Sequence, residues 1–206
     1  MDMKDATPPG LRERARRAIQ WEIMEAAQHL FVERGYDHTT IDDIAKAVGT
    51  SRRSVFRYFA TKEDIVIGKF ELFMEPLPQH LRERPLDEPL WHSLRGIADL
   101  LVTYVDDPDH EELADPMHRI IFTTPSLLAS YLETLERLKL TLADVVRERA
   151  ASRGEPYADH DPAPTAIVGA ALGCIVAAQR AWIAQDAAVP LAPLLDRAMS
   201  AIHPLA

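Results

Sequence analysis

From Leu11 to Arg34, apolar side chains at Ile19, Ile23, Ala26, Ala27, Leu30 and Phe31 return at three- and four-residue steps. This spacing predicts an amphipathic helix whose front end is crowded with Arg12, Arg14, Arg16 and Arg17 and which stops at Gly35. Thr40-Ile41-Asp42-Asp43 sets a hydroxyl three residues before an acid, the pattern of a helix start. Ile41, Ile44, Ala45 and Val48 then mark one buried face of a short helix ending at Gly49. Thr50-Ser51 open a second short helix, Arg52 to Phe59. Thr61-Lys62-Glu63-Asp64 open a third, which runs through Ile65, Val66, Phe70 and Phe73 and ends before Pro76.

Beyond Pro89 the helical period persists and no alternating strand pattern occurs. Helices are expected over Leu90 to Val105, Glu111 to Phe122, Ser126 to Ala151, Thr165 to Gln185 and Leu191 to Ile202. Asp106-Asp107-Pro108-Asp109, Thr123-Thr124-Pro125 and a loop from Arg153 through Pro164 break the run. The expected fold is all-α. Residues 1–10 form a flexible arm, 11–60 a three-helix head containing a helix-turn-helix, and 61–206 a helical body for ligand binding and dimerisation.

Composition narrows the class. The chain has 206 residues, of which 47% are apolar and 27% charged, enough to fill a packed core. One cysteine, Cys174, excludes an internal disulfide framework. No charged-then-apolar leader opens the sequence. The longest uncharged apolar stretch, Ala163 to Ala178, falls short of the roughly 20 residues of a bilayer span. A soluble, cytoplasmic protein with no membrane partner is expected. Charge is unevenly placed: residues 1–63 carry 11 Lys/Arg against 10 Asp/Glu, whereas 64–206 carry 12 against 22. Between Ser51 and Lys62 stand Arg52, Arg53, Arg57 and Lys62 and no acid. An acidic body with a small basic edge suits a protein that meets polyanionic phosphate in one orientation.

At about 100° per residue, Val55 and Phe59 fall on the side facing Ile44 and Val48. Arg53 and Arg57, one turn apart, fall opposite with Ser54 beside them. In a helix-turn-helix the second helix enters the major groove, where arginine forks onto guanine O6 and N7. Phe56 can touch a sugar or a thymine methyl, and Tyr58 can offer its hydroxyl to phosphate. Thr40, Ser51 and Lys62 sit at helix starts, which favour phosphate and position the protein without reading bases. The alternative is that this two-arginine face is merely solvated, as in many helical proteins.

On these residues the chain resembles the tetracycline-repressor (TetR) family of bacterial transcriptional regulators. The resemblance runs from Ala27-Gln28-His29-Leu30-Phe31 and Gly35-Tyr36 through Thr40, Ile44-Ala45 and Val48-Gly49 to Ser51–Phe59 and Lys62-Glu63-Asp64. It implies a homodimer with an N-terminal DNA-binding unit and a divergent helical body that binds an inducer. By position, Thr40, Ser51, Tyr58 and Lys62 correspond to phosphate contacts. Arg52, Arg53, Ser54, Phe56 and Arg57 correspond to the recognition helix. The family often has a small residue at the place of Arg53, and Tyr-His at the place of Arg57-Tyr58, so a different operator, favouring guanine, is implied. Arg84-Pro85, Trp91 to Arg95, Thr124 to Leu127 and Ala181-Trp182 resemble the branch associated with acyl-CoA-like ligands and the mycofactocin regulator.

The helix at Thr165–Gln185 is apolar nearly all round, with Ala166, Ala170, Gly173, Ala177 and Ala181 as a small-residue strip and Leu172, Ile175 and Val176 able to face inward. Such a helix is buried in an interface or in a core. With Leu191–Ile202 it forms a dimer bundle on one reading, and the centre of a monomeric core on the other. Candidate lining for a small-molecule effector is Trp91, Leu94, Met117, Phe122, Tyr131, Cys174 and Trp182, with Arg95 and Arg119 as anion partners. Ordinary packing is the alternative for each. The histidines lack metal-ligand spacing, Asp106–Asp109 lacks a calcium-loop pattern, and neither a phosphate loop nor a nucleophile elbow occurs. No catalysis, metal or cofactor is expected. The predicted function is a ligand-responsive repressor that binds a palindromic operator as a homodimer and is released by a small hydrophobic or acyl-CoA-like effector. A helical small-molecule carrier or interaction module without sequence-specific DNA binding is the second reading.

Overall fold

The computed structural model describes residues 10–105 and 108–203. Apart from Gly10, the expected arm lies outside the described residues, as do Asp106 and Asp107 of the expected break. The described residues form helices and contain no strand. The chain divides into two compact units, one ending at Lys69 and the other beginning at Phe70.

In the N-terminal unit, α1 (Leu11–Arg34), α2 (Ile41–Ala47) and α3 (Arg52–Phe56) precede α4 (Lys62–Met74), which begins here. Ile23, Met24, Ala27, Leu30 and Phe31 of α1 are buried, together with Ile44, Ala45, Val55 and Phe59. The buried face of α1 starts only at Ile23. Leu11, Ile19 and Trp21 are exposed, because the arginines and glutamates interleaved with them leave no continuous apolar stripe. The unit boundary falls inside α4, later than the expected division at residue 60. Lys69 explains this: its ammonium lies 2.5 Å from Glu25 and 2.7 Å from the Gln28 side-chain oxygen, tying α4 to α1.

Two local devices build the turns. Thr39 is buried, and its hydroxyl donates to the carbonyls of Gly35 (2.9 Å) and Leu30 (3.2 Å), fixing the chain between α1 and α2. Gly49 takes φ +65°, a left-handed conformation that glycine adopts without strain, and the Thr50 N–H then closes on the Ala45 carbonyl at 2.8 Å.

The C-terminal unit contains α5 (Leu77–Glu83), α6 (Leu90–Val105), α7 (Pro108–Thr123), α8 (Pro125–Ser152), α9 (Ala163–Ala184) and α10 (Leu191–Ser200). Tyr131, Leu135, Leu138, Leu142 and Val145 bury one face of α8, against which α5, α7 and α9 pack. Leu191, Leu195 and Met199 seat α10 on α9 and α6. The helix α5 has no counterpart in the sequence expectation, since Leu81 is its only fully buried residue and no apolar repeat announces it. It is held instead by Arg149 of α8, a buried guanidinium that donates to the carbonyls of Leu81 (2.9 Å), Arg84 (2.6 Å) and Pro85 (2.7 Å).

By length and composition α9 is long and apolar enough to cross a membrane, because the helix continues past the uncharged stretch to Ala184. It packs instead against α8 and α10, burying Val168, Ala171, Leu172, Cys174 and Trp182, while Ala166, Gly173 and Ala177 are exposed.

Candidate functional site

The first site is the outer face of α2 and α3. Thr40 caps α2 reciprocally with Asp43: the Asp43 N–H donates to the Thr40 hydroxyl oxygen at 3.2 Å, and the Thr40 N–H donates to the Asp43 carboxylate at 2.9 Å. The Thr40 hydroxyl also donates to that carboxylate. Together these bonds hold Asp43 below the ordinary aspartate range. Ser51 caps α3 by accepting from the Ser54 N–H at 3.2 Å, and the two serine hydroxyls stand 3.0 Å apart. The regular α3 ends at Phe56, shorter than expected, yet the Tyr58 and Phe59 N–H groups still reach the Val55 carbonyl at 2.9 and 3.0 Å. Arg57 and Tyr58 therefore keep the direction a continued turn gives them.

The four cations of this edge differ. Arg53 is exposed and has no hydrogen bond or ion pair among the described residues. Arg57 is exposed and lies over the Tyr58 ring, 5.0 Å from its centre, with a 3.2 Å hydrogen bond to the phenol oxygen. Arg52 reaches Asp42 at 3.3 Å and lies 5.4 Å from the centre of the Phe56 ring. The acid-free stretch of sequence thus has an acid beside it in space, contributed by α2. Lys62 turns inward: its ammonium donates to the carbonyls of Tyr36 (2.8 Å) and Thr39 (3.2 Å) and sits 3.9 Å from the Tyr36 ring centre. Its side chain serves the α1–α2 connection, and its backbone N–H is one of the unpaired donors of the first turn of α4.

The second site is an apolar cleft in the C-terminal unit. Phe70, Phe73 and Met74 line it from the last turns of α4, Leu77 from α5, and Ala98 and Leu101 from α6. Tyr131, Leu135 and Leu138 of α8 and Leu172 and Ile175 of α9 close it. A smaller cleft shares Leu77, Ala98, Leu172 and Ile175 and adds Leu94. Neither is lined by a charged residue.

Of the sequence-stated candidates, Tyr131 and Leu94 line these clefts, and the other seven do not. Phe122 packs against Tyr131 (ring centres 5.8 Å apart), and Trp182 against His118 (5.5 Å). Met117, Trp91 and Cys174 are buried away from the cleft lining. The two expected anion partners point elsewhere: Arg95 is ion-paired with Asp99 and, at 2.5 Å, with Asp196, and Arg119 lies 3.2 Å from Asp186. Sequence reasoning missed Gln179, fully buried one turn beyond Ile175, whose side-chain oxygen accepts from the Tyr131 hydroxyl at 2.9 Å. Its signal was present: it is the lone amide in the apolar run of α9.

Residues 23–67 match the family described as bacterial regulatory proteins, tetR family, and residues 88–205 match the MftR C-terminal domain. The chain is 32% identical over 180 residues to the HTH-type transcriptional regulator TcmR of Streptomyces glaucescens, an alignment covering 84% of this chain and 77% of that protein. The chain belongs to the TetR family. This TetR-family regulator is also 27% identical to the putative mycofactocin biosynthesis transcriptional regulator MftR of Mycobacterium tuberculosis, over 92% of its own length and 91% of that protein. Its fold is shared with FadR of Bacillus subtilis in complex with stearoyl-CoA (TM-score 0.58, 20% identity, 90% and 99% of the two chains). A SmeT–triclosan complex shares it as well (TM-score 0.61, 17% identity, 89% and 91%).

Proposed function

We propose that the protein is a cytoplasmic, ligand-responsive repressor that binds a palindromic operator as a homodimer and releases it when a small hydrophobic molecule occupies the C-terminal cleft. The observation that carries the DNA half is the exposed Arg53, without an ion pair among the described residues, on a helix capped by Ser51, with Arg57 one turn on. Arg53 and Arg57 read bases, with Arg52, Ser54 and Phe56 beside them. Thr40, Ser51, Tyr58 and the N–H of Lys62 contact phosphate and set the register. One such helix buries too little surface for specific affinity, so two copies in successive grooves are required. The open strip Ala166, Gly173 and Ala177 on α9 supports pairing through α9 and α10.

The uncharged cleft supports a hydrophobic effector. An acyl-CoA can place only its chain there, since Arg95 and Arg119 are already paired with acids. Phe70, Phe73 and Met74 line the cleft from the helix that begins in the N-terminal unit, so ligand occupancy acts on α4. It shifts DNA affinity by as much as the ligand prefers one state of that helix over the other.

The test is a gel shift with duplex DNA from upstream of the protein's own coding region, run against excess random duplex. The wild-type complex should survive the competitor. Arg53→Ala should lose about 1–3 kcal/mol of binding and relax discrimination at one position in each half-site. The internal engagement of Lys62 and the Asp42 beside Arg52 favour the second reading, a carrier without sequence-specific binding. That reading predicts that random duplex competes as well as the upstream fragment.

A further inference from the structure

We infer that the cleft takes an uncharged effector whose single hydrogen-bond acceptor, a carbonyl oxygen, is received by the side-chain amide of Gln179. This rests on the effector site proposed above and specifies its chemistry. Leu172, Ile175 and Gln179 stand three, then four, residues apart and so share one face of α9. The first two line the cleft, and Gln179 continues that face past them. Tyr131 lines the cleft from α8 and donates its hydroxyl to the Gln179 oxygen at 2.9 Å. Tyr131 thus lines the cleft, and Gln179 lies directly behind it, hydrogen-bonded to its hydroxyl and next along the α9 face that Leu172 and Ile175 present.

Gln179 is wholly buried, and its side-chain nitrogen has no hydrogen-bond partner among the described residues. Turning the amide over would leave both the Tyr131 hydroxyl hydrogen and the Gln179 oxygen unused, two unmet groups instead of one. The observed orientation thus presents one group with one requirement, an acceptor. A buried amide N–H left without a partner is a cost to the fold that a bound acceptor removes. An incoming carbonyl oxygen meets the requirement. A carboxylate does not, because no cation lines the cleft and its charge would be stripped of water without compensation.

Three ligands of one shape test this: 2-acetylnaphthalene, 2-ethylnaphthalene and 2-naphthoate, titrated calorimetrically into the full-length wild-type protein and into Gln179→Leu. The ketone should bind the wild type about tenfold more tightly than the hydrocarbon, the equivalent of one buried hydrogen bond, and the carboxylate should bind weakest. In Gln179→Leu the ketone should fall to the level of the hydrocarbon. In wild-type NMR spectra the Gln179 side-chain NH2 resonances should move with ketone and stay with hydrocarbon, a readout that needs no variant to fold. Equal affinity for ketone and hydrocarbon, tightest binding of the carboxylate, or a ketone preference that survives in Gln179→Leu would each overturn the inference and leave the effector site standing. Failure of all three ligands to bind would remove the effector site itself.

Discussion

Arg52 and Arg53 are neighbours in sequence with opposite circumstances, and the difference lies in one carboxylate. Asp42 stands beside Arg52 and offsets part of its attraction for phosphate, while Arg53 carries its charge unopposed. Exposed pairs of this kind contribute little to stability, so removing the acid should leave the fold intact and act on DNA alone. Asp42→Asn is expected to strengthen binding to operator and random duplex alike and to steepen the salt dependence of log Kd by up to about one unit. Fluorescence anisotropy across a salt series measures both. Gains confined to the operator would contradict a general electrostatic role for Asp42. At this scale the sequence was informative about direction and uninformative about partners. Helical angle alone put Arg53 and Arg57 outward, but that Lys62 would bend back onto the Tyr36 and Thr39 carbonyls depends on a connection whose path no periodicity encodes.

Helices here owe their ends to side chains as much as to packing. In α2 the Thr40 hydroxyl and N–H hold the Asp43 carboxyl below its ordinary value of 3.8, so the cap contributes fully above that pH. The contribution is lost as pH falls through the depressed folded value. Thr40→Ala is expected to return Asp43 towards the ordinary aspartate range, read as a rise in its NMR titration midpoint, and to fray the first turn of α2. In the C-terminal unit the equivalent fastening is Arg149. Arg149→Met leaves three carbonyls around α5 without their donor and should lower unfolding free energy by about 3 kcal/mol or more in urea melts. Gly96 belongs to the same assembly. A Cβ there would meet the Arg84 guanidinium carbon at 2.8 Å, so Gly96→Ala should displace Arg84 from Glu88, at little cost to stability because the guanidinium is the free end of a flexible side chain. The capped helices of the N-terminal unit and the long periodic α6, α8 and α9 were legible in the sequence because each announces itself locally. The helix α5 was not, because what fixes it is the Arg149 guanidinium, 68 residues on from Leu81 in sequence, read only once the chain is folded.

As a whole, the molecule has an apolar helix with one open side and a cleft lined by hydrocarbon. Ala177 lies on the open side of α9, where a long cation would hold a second copy apart. Ala177→Arg is therefore expected to sediment as a monomer, keep its melting behaviour, and bind operator no better than random DNA. An unchanged dimer would place the interface elsewhere. The cleft has a consequence for what reaches it. Compounds content among Phe73, Leu135 and Ile175 with one oxygen to offer are compounds that dissolve in lipid, and these pass through bilayers without a transporter. On the proposed reading the protein is tuned to molecules that enter a cell uninvited, and its response would follow their concentration outside the envelope with only the delay of passive permeation.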